Sequence, residues 1–417
     1  MKVSILTLGT RGDVQPYVAL GEALINKGHQ VVICTGMSFR SLIESHGVSF
    51  YPASADLMEI LESEEGRAIF SGGAINPIKM MDYAKRIITP AYRKSMDDFY
   101  VASKGADIII FHPKALGACD IADYYGIPAV CMPPVPIIYP ITEFPNLAVS
   151  PTRNLGAGLN KLSYQVSTLA EGSYIKQINN FREKTLRLPP RKSGAYNKQV
   201  GKHSLRIVYP ISGLLFPEVN SWKGKVDLTG FFYLNEEENR LEAEIEQFLK
   251  QGEPPILITF SSMPLKDTDT FQKNLLQALE QAHQRAILLT GASGLKLESN
   301  QQILVVKRAS HRWLMPRCGG IIHHGGVGTL AEALLSGIPQ FIIPFSVDQP
   351  FWAHRLNQMG LSLKPLKEKQ LTVEQLVSAF REMKDERRIV KAKEFGQKIS
   401  KEDGLSNAVL LLESIVQ

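Results

Sequence analysis

The residue types that could do chemistry gather in GGIIHHGGVGTLAEALLSGIP, residues 319–339, where His323 and His324 stand ahead of Gly325, Gly326 and Gly328. Such a run can ligate a metal, cradle a phosphate or make a tight turn. Metal is disfavoured, because adjacent side chains on an extended segment point to opposite sides and no His, Asp or Glu partner follows at ligand spacing. The apolar run before His324 reads as a strand, and the residues after it as a helix running to about Ser336 with Gly337 as its C-terminal cap. Free amides and the positive dipole end of that helix favour an anion. The glycines let a diphosphate approach the backbone, Thr329 adds a hydroxyl, and Glu332, one turn further on, can accept both hydroxyls of a ribose. Together these groups suit a nucleoside diphosphate, although the glycines alone equally fit a plain strand-to-helix turn. The G-x-G-x-x-G order of a dinucleotide fold is absent.

Asp348 and Gln349 follow a strand end in FIIPFSVDQPFWAHRL. Their carboxylate and amide suit sugar hydroxyls, or they cap the helix that follows. Asp13 comes after a Gly9-Thr10-Arg11-Gly12 turn at the end of the first strand, where a carboxylate can take a proton from a hydroxyl nucleophile or cap the next helix. An unperturbed aspartate, with a pKa of about 3.9, is a weak base, so its efficacy depends on placement.

These positions need a scaffold, and short apolar runs alternate with helix-length amphipathic stretches along most of the chain, the pattern of parallel sheets with crossover helices. The fold class is α/β. Strands are expected at 2–8, 30–34, 107–111, 128–132 and 205–209, then at 256–260, 286–290, 303–306, 319–323 and 340–343. A Lys-, Gly-, Ser- and Pro-rich stretch over 187–225 puts a boundary near 215–230. The expected division is an N-terminal domain over 1–220, a C-terminal domain over 221–397, and an amphipathic helix over 398–417. In open parallel sheets ligands lie beyond the carboxyl ends of the strands, so two such Rossmann-like sheets facing one another would form a cleft.

Composition sets the remaining bounds. With 417 residues, 44% hydrophobic and 21% charged, the chain suits a folded two-domain protein. It opens directly on KVSILTL, with no signal-peptide pattern, and no apolar run reaches the roughly 18 residues of a membrane span. Four scattered cysteines without a C-x-x-C pair suggest reduced thiols and a cytoplasmic location. Residues 176–206 hold nine Lys/Arg against the single acid Glu183, while the whole chain has a formal charge of +6. That cluster reads either as a solvated helix end and loop or as a peripheral contact with anionic lipid. Nucleic acid is not expected as a partner, since no reading motif or interleaved aromatics accompany it.

HRWLMPRCGGIIHHGGVGTLAEALLSGIPQFIIPFSVDQPFWAHRL resembles the donor-binding signature of GT-B glycosyltransferases of the UDP-glycosyltransferase family, with the sterol and macrolide/glycopeptide enzymes of bacteria and fungi most alike. GTRGDVQPYVALGEAL, FHPKALGACDIAD, LTGFFY and FSSMP resemble the same group, so the likeness spans nearly the whole chain. It implies an inverting, metal-independent transfer with no cofactor beyond a UDP-sugar co-substrate, most commonly UDP-glucose, and a C-terminal helix crossing back to the N-terminal domain. His324, Gly326, Gly328 and Thr329 would meet the diphosphate, Glu332 the ribose, and Asp348 with Gln349 the sugar. Ser262 would lie near the diphosphate or base, and Asp13 would be the general base. Two positions depart from the group: Ser261 replaces a usual glycine, which bears on phosphate approach, and Ser310 stands where proline is frequent, which bears on base selectivity.

AVCMPPVPIIYPITEFPNLAVSP is too rich in proline for regular structure and too apolar for a plain surface loop. It is expected to wall a pocket for a lipophilic small-molecule acceptor through Met132, Ile137, Tyr139 and Phe144, with His112 nearby, or else simply to pack over the sheet edge. Two other functions stay open on sequence: a catalytically silent nucleotide-sugar binder, and a nucleotide-dependent oxidoreductase or epimerase.

Overall fold

The computed structural model describes residues 1–70, 77–195, 205–235, 240–261, 265–291, 293–345 and 348–416. The chain forms two units, Met1–Leu234 with Asp403–Gln417, and Asn235–Glu402. The first unit therefore runs further than residue 220. β7 and the segment after it stay with the first sheet, and Gly404 packs so closely on Gly230 and Phe231 that a Cβ would lie 2.4 Å from the Phe231 carbonyl oxygen.

In the first unit seven parallel strands are β1 (Lys2–Leu6), β2 (Gln30–Thr35), β3 (Ser49–Pro52), β4 (Ile108–Phe111), β5 (Ala129–Cys131), β6 (Arg206–Tyr209) and β7 (Asp227–Leu228), in the order β3-β2-β1-β4-β5-β6-β7. Continuous apolar runs such as IIIF in β4, buried at every position, belong to parallel strands covered on both faces. β3 and β7 escape sequence reading because both are edge strands. β3 is partly exposed and ends in Pro52, and β7 has only two residues. Val3 and Ile5 of β1 share a core with Val14, Val18 and Leu20 of the helix Arg11–Asn26 and with Ala408, Val409 and Leu412 of the helix Gly404–Val416.

The second unit holds β8 (Ile256–Thr259), β9 (Ala286–Leu289), β10 (Ile303–Val306), β11 (Gly320–His323) and β12 (Gln340–Ile342), all parallel, in the order β10-β9-β8-β11-β12. In each sheet the strand order reverses once, at β1/β4 and at β8/β11. Neighbouring loops diverge there, and ligands of open α/β sheets lie at that point.

Two cations of the basic segment turn inward, whereas Lys176, Lys184, Arg187, Lys192 and Arg206 are exposed. Arg182 Nη1 lies 2.5 Å from Asp120 Oδ1, and Arg191 Nε 2.6 Å from the same oxygen. A second Arg191 nitrogen lies 2.8 Å from Glu171. Asp120 and Glu171 are buried, so these arginines staple the segment to the fold. Arg206 pairs with Asp227, and Lys198 and Lys202 fall outside the described residues. Arg182 and Arg191 thus serve the fold, and the remaining described cations of 176–206 stay at the surface. Among them, no helix is long and apolar enough to cross a membrane.

Candidate functional site

Asp13 sits at the β1/β4 reversal. Leu6 is in register with Phe111, so the loops leaving β1 and β4 start side by side. Asp13 is the third residue of its helix, and its Oδ2 accepts the Thr10 amide at 2.8 Å, closing a capping box. Its carboxylate folds over Gly9, whose φ of +151° and absent Cβ both matter, because a Cβ there would lie 2.1 Å from Oδ2. Both sequence readings of Asp13 are therefore compatible, since the cap holds the carboxylate in place.

From β4 come two partners. His112 Nε2 lies 3.2 Å from Asp13 Oδ1, and Lys114 Nζ 2.8 Å from Oδ2. His112 Nδ1 accepts the Lys114 amide at 3.0 Å, which leaves Nε2 to carry the proton that faces Asp13. His112 was expected on the acceptor wall; buried behind Asp13, it positions the carboxylate instead. Burial acts to raise the Asp13 pKa, but the hydrogen bond and charge of His112 and then of Lys114 outweigh it and hold the carboxyl well below the usual range. Burial also lowers the His112 pKa, against the hydrogen bond and charge of Asp13, which raise it.

Burial, Tyr174 and the Asp13 charge, in that order, raise the phenol of Tyr92. The Tyr92 ring lies 5.4 Å from that of Tyr174. Lys114, Tyr92 and Tyr174 thus join the neighbourhood of Asp13, and no motif announced them. The proline-rich segment is a plug rather than a wall along its whole length. Tyr209 Oη accepts the amides of Ile138 at 3.2 Å and Tyr139 at 2.9 Å. Phe144 packs on Phe216 and Trp222. Met132 is 1% exposed inside the core of the sheet, so neither it nor Phe144 has surface to offer a ligand in this conformation. Ile137 and Tyr139 are half-buried and keep some.

At the β8/β11 reversal the helix Val327–Ser336 begins after Gly326 and ends on Gly337, which has a φ of +65°. His323 Nε2 meets Gln340 Oε1 at 3.0 Å and its Nδ1 accepts the Gly325 amide at 3.2 Å. Both nitrogens serve the fold, and burial pushes the ring down to about 3. His324 differs. Its Nδ1 is buried without a hydrogen-bond partner among the described residues, and burial, followed by the charge of His311, lowers its pKa to about 4. A neutral imidazole with an unmatched ring nitrogen beside free helix amides is a polar group prepared for a ligand.

The glycines divide by role. A Cβ on Gly326 would lie 2.4 Å from His324 Nε2, whereas one on Gly328 would meet nothing within 4 Å. Gly326→Ala should therefore displace His324 and cost stability. Gly328→Ala should leave the unfolding free energy within ~0.5 kcal/mol of the parent and weaken UDP binding, read by calorimetry; unchanged affinity would remove Gly328 from the site.

Thr329 is buried one turn into the helix, and Glu332 lies 3.7 Å from Arg312. Asp348 Oδ2 accepts the indole N–H of Trp352 at 2.9 Å, and Gln349 Oε1 the Phe345 amide at 2.8 Å. Asp348 occupies the N-cap position of Gln349–Gln358 without capping through its side chain. Ser310 caps the short helix His311–Leu314 through the Trp313 amide, a role proline could not fill. Ser262 lies outside the described residues. Ser261 has a φ of +53°, the left-handed region that glycine occupies without cost. Ser261→Gly should stabilise the fold by roughly 1 kcal/mol, measured from denaturant midpoints.

Residues 3–99 match the glycosyltransferase family 28 N-terminal domain, and residues 291–405 the erythromycin biosynthesis protein CIII-like C-terminal domain. The chain is 32% identical to the sterol 3-beta-glucosyltransferase UGT80B1 of Arabidopsis thaliana, over 98% of this chain and 67% of that one. The chain belongs to the UDP-glycosyltransferase family. It is also 28% identical to the O-mycaminosyltylonolide 6-deoxyallosyltransferase of Streptomyces fradiae, over 99% of this chain and 97% of the relative. Longer relatives are covered over only part of their length. The crystal structure of the glycotransferase of kitacinnamycin superposes with a TM-score of 0.74 at 16% identity, covering 100% of this chain and 99% of its own, which supports the GT-B fold. As a family member the chain is a glycosyltransferase, and the fold expected from its motifs is the one found.

Proposed function

We propose that this glycosyltransferase moves a hexose, glucose, from a UDP-sugar to a hydroxyl of a lipophilic acceptor such as a sterol, terpenoid, polyketide or flavonoid, with inversion at the anomeric carbon. The observation that carries the reading is the Asp13 carboxylate, held by Thr10, His112 and Lys114 beside half-buried tyrosines. As the acceptor oxygen bonds to C1 and the bond from C1 to the phosphate oxygen breaks, the acceptor proton passes to Asp13. The hydroxyl becomes acidic as that bond forms, so a weak base suffices late in the step. An acceptor hydroxyl that takes the place of Lys114 on Oδ2 also relieves the charge that suppresses the basicity of the carboxylate.

The leaving diphosphate gains negative charge. The amides at the start of Val327–Ser336, with His324 and Thr329, offer donors for it and make a cation unnecessary. Glu332 is assigned to the ribose, and Asp348 with Gln349 to the sugar. The names of the relatives support this reading: one is a sterol 3-beta-glucosyltransferase, the other an O-mycaminosyltylonolide 6-deoxyallosyltransferase.

Incubation with UDP-glucose and a panel of sterols, flavonoids and macrolides, read by mass spectrometry, should give a hexose mass gain that a metal chelator leaves unchanged. Tight UDP binding with no gain on any acceptor would favour a silent nucleotide-sugar binder instead.

A further inference from the structure

The helices Ala157–Ser163 and Gln165–Gly172 are joined at Tyr164, which keeps helical angles, and they run as one rod. Its polarity is inverted. Asn160, Tyr164 and Glu171 face the protein and are buried. Asn160 bonds the Thr142 carbonyl at 2.8 Å and the Leu155 amide at 2.9 Å, and Glu171 pairs with Arg191. Leu159, Leu162 and Leu169 recur at helical spacing on the opposite side, 58%, 61% and 71% exposed. Val166 lies between them, half-buried. Core-forming side chains point to solvent while polar ones are anchored inward, and the hydrogen bonds fix that orientation.

Charge selects what covers the stripe. From residue 149 to residue 182 the only acid is Glu171, which is buried and paired, whereas Arg153, Lys161 and Lys176 are exposed. A line of leucines about 15 Å long also falls far short of the ~800 Å² per partner of a stable dimer. Exposed cations before, within and after an apolar stripe match an interfacial helix on an anionic bilayer.

We propose that this face docks on anionic membrane surfaces, with Leu159, Leu162 and Leu169 at the boundary between headgroups and acyl chains and the three cations on lipid phosphates. Lys176 is the first cation of the basic stretch, whose Arg182 and Arg191 turn inward on Asp120, and the proposal does not depend on which group is the base.

The test is co-sedimentation of the full chain with vesicles of phosphatidylcholine, with and without phosphatidylglycerol. The parent should bind the anionic vesicles and release in high salt. Leu159→Ser, Leu162→Ser and Leu169→Ser combined should lower the partition coefficient at least about tenfold, and Leu169→Ser alone by a smaller factor, with unchanged circular dichroism and UDP binding. Lys161→Glu with Lys176→Glu should abolish the preference for anionic vesicles. The proposal is overturned by a triple variant that partitions like the parent, by a parent that binds neither vesicle, or by a parental dimer that the triple variant converts to monomer.

Discussion

Asp13→Asn should fold, bind UDP and lose transfer by about 10²- to 10⁴-fold, the range of a removed general base. The amide keeps the shape and can still accept a hydrogen bond from the Thr10 amide, but it takes no proton. Because Lys114 lies 2.8 Å from the same carboxylate, Lys114→Met supplies a second readout. Removing that positive charge should raise the Asp13 pKa and move the acid limb of the pH-rate profile to higher pH. A purely capping carboxylate would leave that limb in place, and full turnover by Asp13→Asn would remove Asp13 from the chemistry. Stability is linked in a known direction. The Asp13 pKa is lower folded than unfolded, so its contribution is present above the unfolded value of about 3.9 and fades as pH falls through the folded one.

Asp120→Ala should destabilise the first unit by roughly 3–5 kcal/mol, the cost of leaving buried charge uncompensated. Asp120 is fully buried and receives Arg182 at 2.5 Å and Arg191 at 2.6 and 2.9 Å. Its loss leaves Arg182 without its carboxylate partner and Arg191 with Glu171 alone, which also holds the Gly194 and Ala195 amides. The expected outcome is a lowered denaturant midpoint, with partial recovery when Arg191 is also replaced, since that removes one of the stranded charges. A shift below ~1 kcal/mol would mean that water reaches the network. This cluster accounts for two of the nine cations that read in sequence as a basic surface, Arg182 and Arg191. Lysine and arginine look alike in a charge count, and only burial separates a structural arginine from a solvated one.

Local signals carried far. Ten strands were legible because parallel strands bury both faces and so appear as apolar runs, and Gly337 marked a helix end because only the left-handed region closes it. The separate roles of His323 and His324 were also partly legible, since alternation along a strand sends neighbours to opposite sides. Their hydrogen bonds were not, because Gln340 reaches His323 from the adjacent strand. Met132 shows the limit in the other direction: an apolar residue in a proline-rich segment has the composition of a pocket wall and the position of a core residue.

By itself the sequence determined the α/β class, the strand-turn-helix units and the placement of Asp13 and His324 at the carboxyl ends of strands, because apolar period, glycine and helix caps act over a few residues. The tertiary structure alone decided that β1 lies beside β4. That adjacency brings Lys114 onto Asp13 across 101 residues of chain and makes His112 a support for the carboxylate rather than an acceptor contact. Strand order is set by which faces must be buried together, and the direction of a pKa by which charges meet there. Both depend on the packing of distant segments, which no local pattern encodes.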